Sequence, residues 1–280
     1  MLDMRTVIIS YIITSSISVM VIFSLWWQSR KRLSGLSTFF VSYLLQFTGL
    51  VLIALRGSIS DFYSILIGNV TLLMGNVMLM LGLRHFFNRP GQRRHAIFLI
   101  IAFILAVYYF TFLNENLLAR IVLFSLTQAS VYMMGILLIY RKVQSEERPE
   151  ARDVLIVLVM YVVINLTRVM INLIFPPESQ NFFASGLPDS IIILVTQMMF
   201  LAMTFALVMM VNRRLYSTLE RDIAGREEAE NALARKNRQQ ERLGELGRDL
   251  AGALSLEDIF LVSERRLREM IDCPNLAITL

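Results

Sequence analysis

Long uncharged apolar runs alternate with short polar breaks along this chain. Seven of the runs are close to 20 residues, the length at which a helix rising about 1.5 Å per residue crosses a hydrocarbon core of about 30 Å. They are Thr6–Trp27, Leu36–Leu55, Tyr63–Leu83, Ala96–Leu113, Ile121–Tyr140, Leu155–Phe175 and Ile191–Val211, and only the sixth carries a charge, Arg168. The first run is too long for a secretory signal, and no small-x-small cleavage site closes it before the basic cluster that follows. Beyond Val211 the pattern changes. From Asn212 to about Arg248, charges of both signs interleave with no proline. One helix is therefore expected to leave the apolar layer and continue in water as a solvent-exposed helix.

Composition agrees with that pattern. The chain has 280 residues, 56% hydrophobic and 18% charged, with a mean hydropathy of +0.59. Soluble domains are nearer 45–50% apolar and about 25% charged. The net charge of +5 does not point to nucleic acid, because the basic residues sit at helix ends. Arg30, Lys31 and Arg32 follow the first run. Arg84, Arg89, Arg93 and Arg94 follow the third, and Arg141, Lys142, Arg148 and Arg152 the fifth. The opposite connections hold only Arg5, Arg56 and Arg120. Basic residues collect on the cytoplasmic side, so the expected topology puts the N-terminus outside and the tail in the cytoplasm, in the inner (plasma) membrane. The longest outer connection, Pro176 to Ser190, has 15 residues, too few for a folded extracytoplasmic domain. Any signal is then read within the bilayer, at its surface, or through a partner helix.

Several chemistries lack their residues. The seven runs contain no Asp or Glu, the usual groups of proton relays and ion-coupled transport. The three lysines, Lys31, Lys142 and Lys236, lie outside the runs, which removes a retinal Schiff base. His85 and His95 flank a cytoplasmic connection, so no haem or metal site with buried imidazoles is expected. The single cysteine, Cys273, permits no intrachain disulfide. No cofactor is expected.

The remaining polarity is patterned. Tyr161, Asn165, Arg168 and Asn172 follow i, i+4, i+7, i+11 and share one helical face. Gly68-Asn69-Val70 recurs seven residues later as Gly75-Asn76-Val77, which places both asparagines on one stripe and both glycines on the next. Two readings stand. These residues are interhelical hydrogen bonds and small-residue contacts worth about 0.6 kcal/mol each, with Arg168 snorkelling to the nearby helix end. Alternatively Asn69, Asn76, Tyr161, Asn165, Arg168 and Asn172 line an intramembrane ligand pocket in which Arg168 holds an anion or responds to the signal. Phe182-Phe183 reads as an aromatic anchor at the outer interface or as a lid. The stretch from Glu146 to Arg152 reads as a solvated cytoplasmic turn.

In the tail, Tyr216, Leu219 and Ile223 fit a/d/a heptad positions, Arg226 and Glu230 interrupt the seam, and Leu233 resumes it. Leu243, Leu246, Leu250 and Leu254 are out of phase with that set. This reads as a short parallel dimeric coiled coil with a stutter near residues 234–242, or as a monomeric amphipathic helix. Ser255-Leu256-Glu257-Asp258 resembles a capping box. The helix it would start is stopped by Cys273-Pro274-Asn275, and Leu276 to Leu280 reads as a first strand. Ending on one strand, the chain is expected to be part of a longer protein.

Glu241 to Ala251, Leu254 to Ile259, and Asp272-Cys273-Pro274 with the strand after it together resemble the opening of a GAF domain. The linker from Arg221 to Leu233 is similar to helices that join sensor modules in bacterial signalling proteins. The membrane half, through Leu55-Arg56-Gly57, Asp61-Phe62-Tyr63, Gly68-Asn69 and Gly82 to Phe87, resembles the multi-helix N-terminal regions of bacterial diguanylate cyclases and sensor histidine kinases. The resemblance implies a membrane sensor (1–211), a signalling helix (212–240) and a GAF-like start (241–280), feeding an output enzyme. The tail carries neither a GGDEF signature nor a phosphoacceptor histidine, so no catalytic residue is assigned. The expected fold is an all-α polytopic membrane bundle with a cytoplasmic coiled-coil helix and a truncated α/β GAF-like start. The expected partners are the lipid bilayer, a second copy through the cytoplasmic helix, and an unidentified small-molecule or membrane-state signal. The competing reading is a small-molecule transporter or channel component with a regulatory tail.

Overall fold

The computed structural model describes residues 4–30, 32–89, 93–144, 147–177, 182–184, 187–252, 260–261 and 263–265. They are almost entirely helical. In chain order they form α1 (Met4–Ser29), α2 (Leu36–Ala54), a wider π-helical turn (Phe62–Ile67) leading into α3 (Gly68–Phe86), and α4 (Arg93–Tyr108), which runs on into a second π-helical turn (Tyr109–Leu113). Then come α5 (Leu117–Lys142), α6 (Arg148–Ile174), a short 3-10 turn (Phe182–Ala184) and α7 (Leu187–Gly252). Seven of these stretches are long and apolar enough to cross a membrane, and each contains most of one of the seven apolar runs. The chain is a multi-pass membrane protein. Exposed Ile9, Ile13, Ile17 and Met20 on α1, and Ile97, Phe98, Ile101 and Leu105 on α4, form apolar stripes suited to lipid contact.

Two compact units are distinguishable, Met1–Arg214 and Leu215–Leu280. In the second, Tyr216, Leu219, Ile223, Leu233 and Leu243 are all exposed. The expected capping box at Ser255–Asp258 and the expected strand Leu276–Leu280 lie outside the described residues. Among the described residues there is no strand, and the extended pairing consists of one isolated bridge between Arg56 and Ile59.

Local signals set the helix ends. Asn116 caps α5, its Oδ1 accepting from the Ala119 amide at 2.9 Å, a contribution of about 1 kcal/mol. Pro149 stands in the first turn of α6 with Glu150 beside it, both suited to a helix N-terminus. At the end of α3, Asn88 takes a left-handed φ of 50°. The Asn88 amide then donates to the His85 carbonyl and the Arg89 amide to the Arg84 carbonyl, the paired bonds of a Schellman stop.

Glycine sets the spacing of α2 and α3. A methyl group on Gly82 would sit 2.5 Å from the Phe39 ring, and one on Gly75 would sit 3.0 Å from the Ser42 carbonyl. That close approach lets Ser42 Oγ donate to the Gly75 carbonyl at 2.7 Å. Between other helices, polar pairs join the bundle. Tyr43 OH lies 3.1 Å from Thr204 Oγ1, linking α2 to α7. Gln197 Nε2 donates to Ser10 Oγ at 3.0 Å and Thr14 Oγ1 at 2.8 Å, linking α7 to α1.

Candidate functional site

A cavity of about 140 Å³ lies inside the bundle and draws walls from every helix. Its apolar wall includes Phe103, Phe124 and Phe200 among aliphatic neighbours. Its polar wall includes Asn69, Asn76, Tyr161, Asn165 and Arg168, five of the six residues singled out by helical periodicity. The sixth, Asn172, is not among the lining residues. It is buried, and its Nδ2 donates to the Arg168 carbonyl at 3.0 Å and to Asp189 Oδ1 at 3.3 Å.

These residues divide into two groups. At mid-depth, Asn76 is the hub of a satisfied network. Its Nδ2 donates to Gln128 Oε1 at 2.8 Å, and its Oδ1 accepts from Tyr132 OH at 3.1 Å. The Tyr132 ring stacks on Tyr161 with centroids 4.6 Å apart and 17° between planes. Asn69 and Asn165 each give one amide N–H to a carbonyl one turn back, those of Ile65 and Tyr161. That leaves the second N–H and the side-chain oxygen of each available to a guest.

The second group lies at the end of the bundle where α1 and α7 begin. Arg168 Nε is 3.4 Å from Asp189 Oδ1, with both side chains largely buried. Its charge is therefore held by a carboxylate. Asp189 stands just outside the seventh apolar run, and the runs themselves hold no Asp or Glu. The seventh apolar run begins at Ile191, but α7 begins at Leu187 and carries Asp189 in its first turn. Pro188 suits a first turn, and an acid there is stabilised by the free amides of the helix start.

Two further arginines line the same cavity, Arg56 after α2 and Arg120 in the first turn of α5. Helical periodicity does not reach Arg56, which stands in a turn, but spacings of four put Arg120 in register with Phe124, Gln128 and Tyr132 on the cavity wall, a signal that the apolar run starting at Ile121 leaves out. Arg120 is 8% exposed, and its buried Nε and Nη1 have no hydrogen-bond partner; neither has the buried Nε of Arg56. Burial, and then the neighbouring Arg120 charge, lower the Arg56 guanidinium to about 10, with Asp61 opposing. The Arg56 guanidinium stands 5.0 Å over the Phe182 ring, and Phe182 itself lines the cavity. Of the two readings of Phe182-Phe183, the structure thus places Phe182 in the cavity wall. Phe183 carries the Arg5 guanidinium at 5.0 Å.

The opposite end of the bundle holds an ion-pair collar. Arg213 Nη2 lies 2.8 Å from Asp153 Oδ2. Arg214 Nη1 lies 3.0 Å from Glu147 Oε1 and 3.3 Å from Glu150 Oε2, and Arg89 reaches Glu147 at 3.4 Å. Glu147 and Glu150, from the segment expected to be a solvated turn, form with Asp153 the acidic half of this collar, fastening α7 to α6 and to the end of α3. Among the described residues no cluster of metal-ligating side chains occurs. A scan against protein-family models, a search of curated proteins and a search of solved structures find no match for this chain.

Proposed function

We propose that this chain is the membrane-sensing part of a signalling receptor, in which a guest in the cavity biases α7 and α7 carries that bias into the tail. One observation carries the reading. α7 supplies Ile192, Ile193, Thr196 and Phe200 to the cavity wall, and the same helix continues unbroken to Gly252 through a charged, exposed stretch. A guest that repacks α7 by an ångström or two acts on everything attached to it, the kind of helix shift by which packed bundles switch. The collar at Arg213 and Arg214 is the set of contacts such a shift would rearrange. In this reading the tail pairs with that of a second copy through Tyr216, Leu219 and Ile223, and the stutter near residues 234–242 lets two registers lie close in energy. The N-terminus lies outside and the tail in the cytoplasm, where a GAF-like module passes the signal to a diguanylate cyclase or histidine kinase output. Cysteine at Leu219, in a chain whose Cys273 is replaced by serine, is expected to crosslink two protomers in membranes. A tail that stays monomeric there sinks the dimeric form of the reading.

Transport is the second reading, and Asp189 is what favours it: a buried acid paired with Arg168 is the kind of group ion-coupled carriers use. Proteoliposomes separate the two. The receptor reading expects no protein-dependent flux of small organic anions, and saturable flux abolished by Asp189→Asn would replace it with transport.

A further inference from the structure

We infer that the cavity is a receptor site for a small organic anion, a carboxylate on an apolar body of about one ring, held by Arg56 and Arg120 with Arg168 as a pre-paired third cation. This inference rests on the receptor reading for its biological meaning and on the cavity alone for its chemistry.

Charge is the first argument. Three guanidiniums line one cavity, and among the described residues the one buried carboxylate at this end, Asp189, is engaged by Arg168 and Asn172. Asp61 and Glu115 act on Arg120 from a distance, but both are exposed and screened by water. Among the described residues, two cationic groups thus face a mostly apolar chamber without a counter-ion of comparable burial. Leaving such groups uncompensated is costly.

Unspent donors are the second argument. Buried N–H groups are nearly always paired, yet Nε and Nη1 of Arg120 and Nε of Arg56 have no partner. These are the directional groups that an anionic oxygen accepts from, with short charge-assisted bonds. The neutral donors deeper in the cavity do not compete for this role. Asn76 uses both of its N–H groups and Asn69 and Asn165 one each, on carbonyls or on Gln128, and a neutral amide donor binds an anion less strongly than a guanidinium, so the guest's charge belongs at the arginine end.

Size and wall chemistry are the third. A cavity of about 140 Å³ is close to an engineered cavity of roughly 150 Å³ that holds one benzene. Phe103, Phe124 and Phe200 offer ring edges and faces to an apolar body. A two-chain lipid does not fit whole, although an acidic headgroup shares the chemistry of the charged end.

The test uses the full chain in phosphatidylcholine nanodiscs, with 4-fluorobenzoate and its neutral counterpart 4-fluorobenzamide as fluorine NMR probes. The benzoate should bind saturably and at least about tenfold more tightly than the benzamide. Arg120→Met should weaken the benzoate by about tenfold to a hundredfold, the range of one lost charged hydrogen bond, while leaving the benzamide unchanged. Because the substitution removes unpartnered buried charge, the melting temperature of the ligand-free protein should not fall. Should Arg120→Met fail to fold, Arg56→Gln carries the same expectation for the benzoate. Equal binding of both probes, no binding of either, or full benzoate affinity in the folded variants overturns the inference. Replacing a third of the lipid with phosphatidylglycerol separates the sources. Competition with the benzoate assigns the site to an acidic headgroup and undisturbed binding assigns it to a solute from water; both uphold the anion site. Failure of the receptor reading looks different, since benzoate would then bind as stated without altering the crosslinking of the tail.

Discussion

At the scale of single residues, the pair Arg168–Asp189 separates structural from functional charge. Removing one member of a buried pair strands the other, at a cost of about 3–5 kcal/mol, whereas removing both is often close to neutral. Arg168→Met and Asp189→Leu should each therefore lower stability by about that amount, and the double variant should recover most of it. Thermal unfolding in detergent measures the cycle. Additive losses would mean that the two side chains do not act as a pair. How far the site can be read from the sequence is also decided residue by residue. Tyr161, Asn165 and Arg168 fall on the cavity wall because spacings of four and three keep side chains on one face of a helix, a regularity that needs no tertiary information. Asn69 and Asn76 do so by the same regularity at a spacing of seven. Arg56 escapes it because a residue in a turn has no helical neighbours from which its direction can be inferred, whereas Arg120 lies one residue before the fifth apolar run although spacings of four align it with Phe124, Gln128 and Tyr132 on the cavity wall. Asp189 escapes for another reason. An apolar run marks where a helix can be buried, while Pro188 and the open amides of the first turn mark where it can start, here four residues earlier.

At the scale of elements, the seven spans were legible because length and apolarity suffice to specify a membrane helix when every backbone polar group must be satisfied within its own segment. The π-helical turns at Phe62–Ile67 and Tyr109–Leu113 were not, since no composition rule distinguishes one extra residue per turn. They lie at the same end of the bundle as the arginines, where such turns are often functional, and Ile65 from the first of them lines the cavity. The glycine stripe of α3 has a sharper consequence. Gly82 faces the buried Phe39 ring, which cannot move aside as a flexible chain would. Gly82→Ala should destabilise the bundle by about 1–3 kcal/mol, the usual cost of overpacking, although alanine is the better helix former. A melting temperature equal to or above that of the parent would show that α2 and α3 are not packed as closely as described.

At the scale of the whole molecule, the arrangement has three parts on one covalent path: arginines and an apolar chamber at one end of the bundle, an acidic and basic collar at the other, and α7 taking part in both. Seven apolar helices alone would suit many membrane proteins. The distinguishing feature is that the helix lining the cavity is also the helix that continues into the charged tail, with apolar positions Tyr216, Leu219 and Ile223 left exposed. The central claim is that occupancy of the cavity changes the pairing of that tail. It is tested most directly by disulfide formation at Leu219→Cys, in a Cys273→Ser background in membranes, followed with and without 4-fluorobenzoate. The account predicts crosslinks between protomers whose rate shifts severalfold when the probe binds, with the shift lost in Arg120→Met. Crosslinking that is absent, or that proceeds at one rate whether or not the cavity is filled, would contradict it.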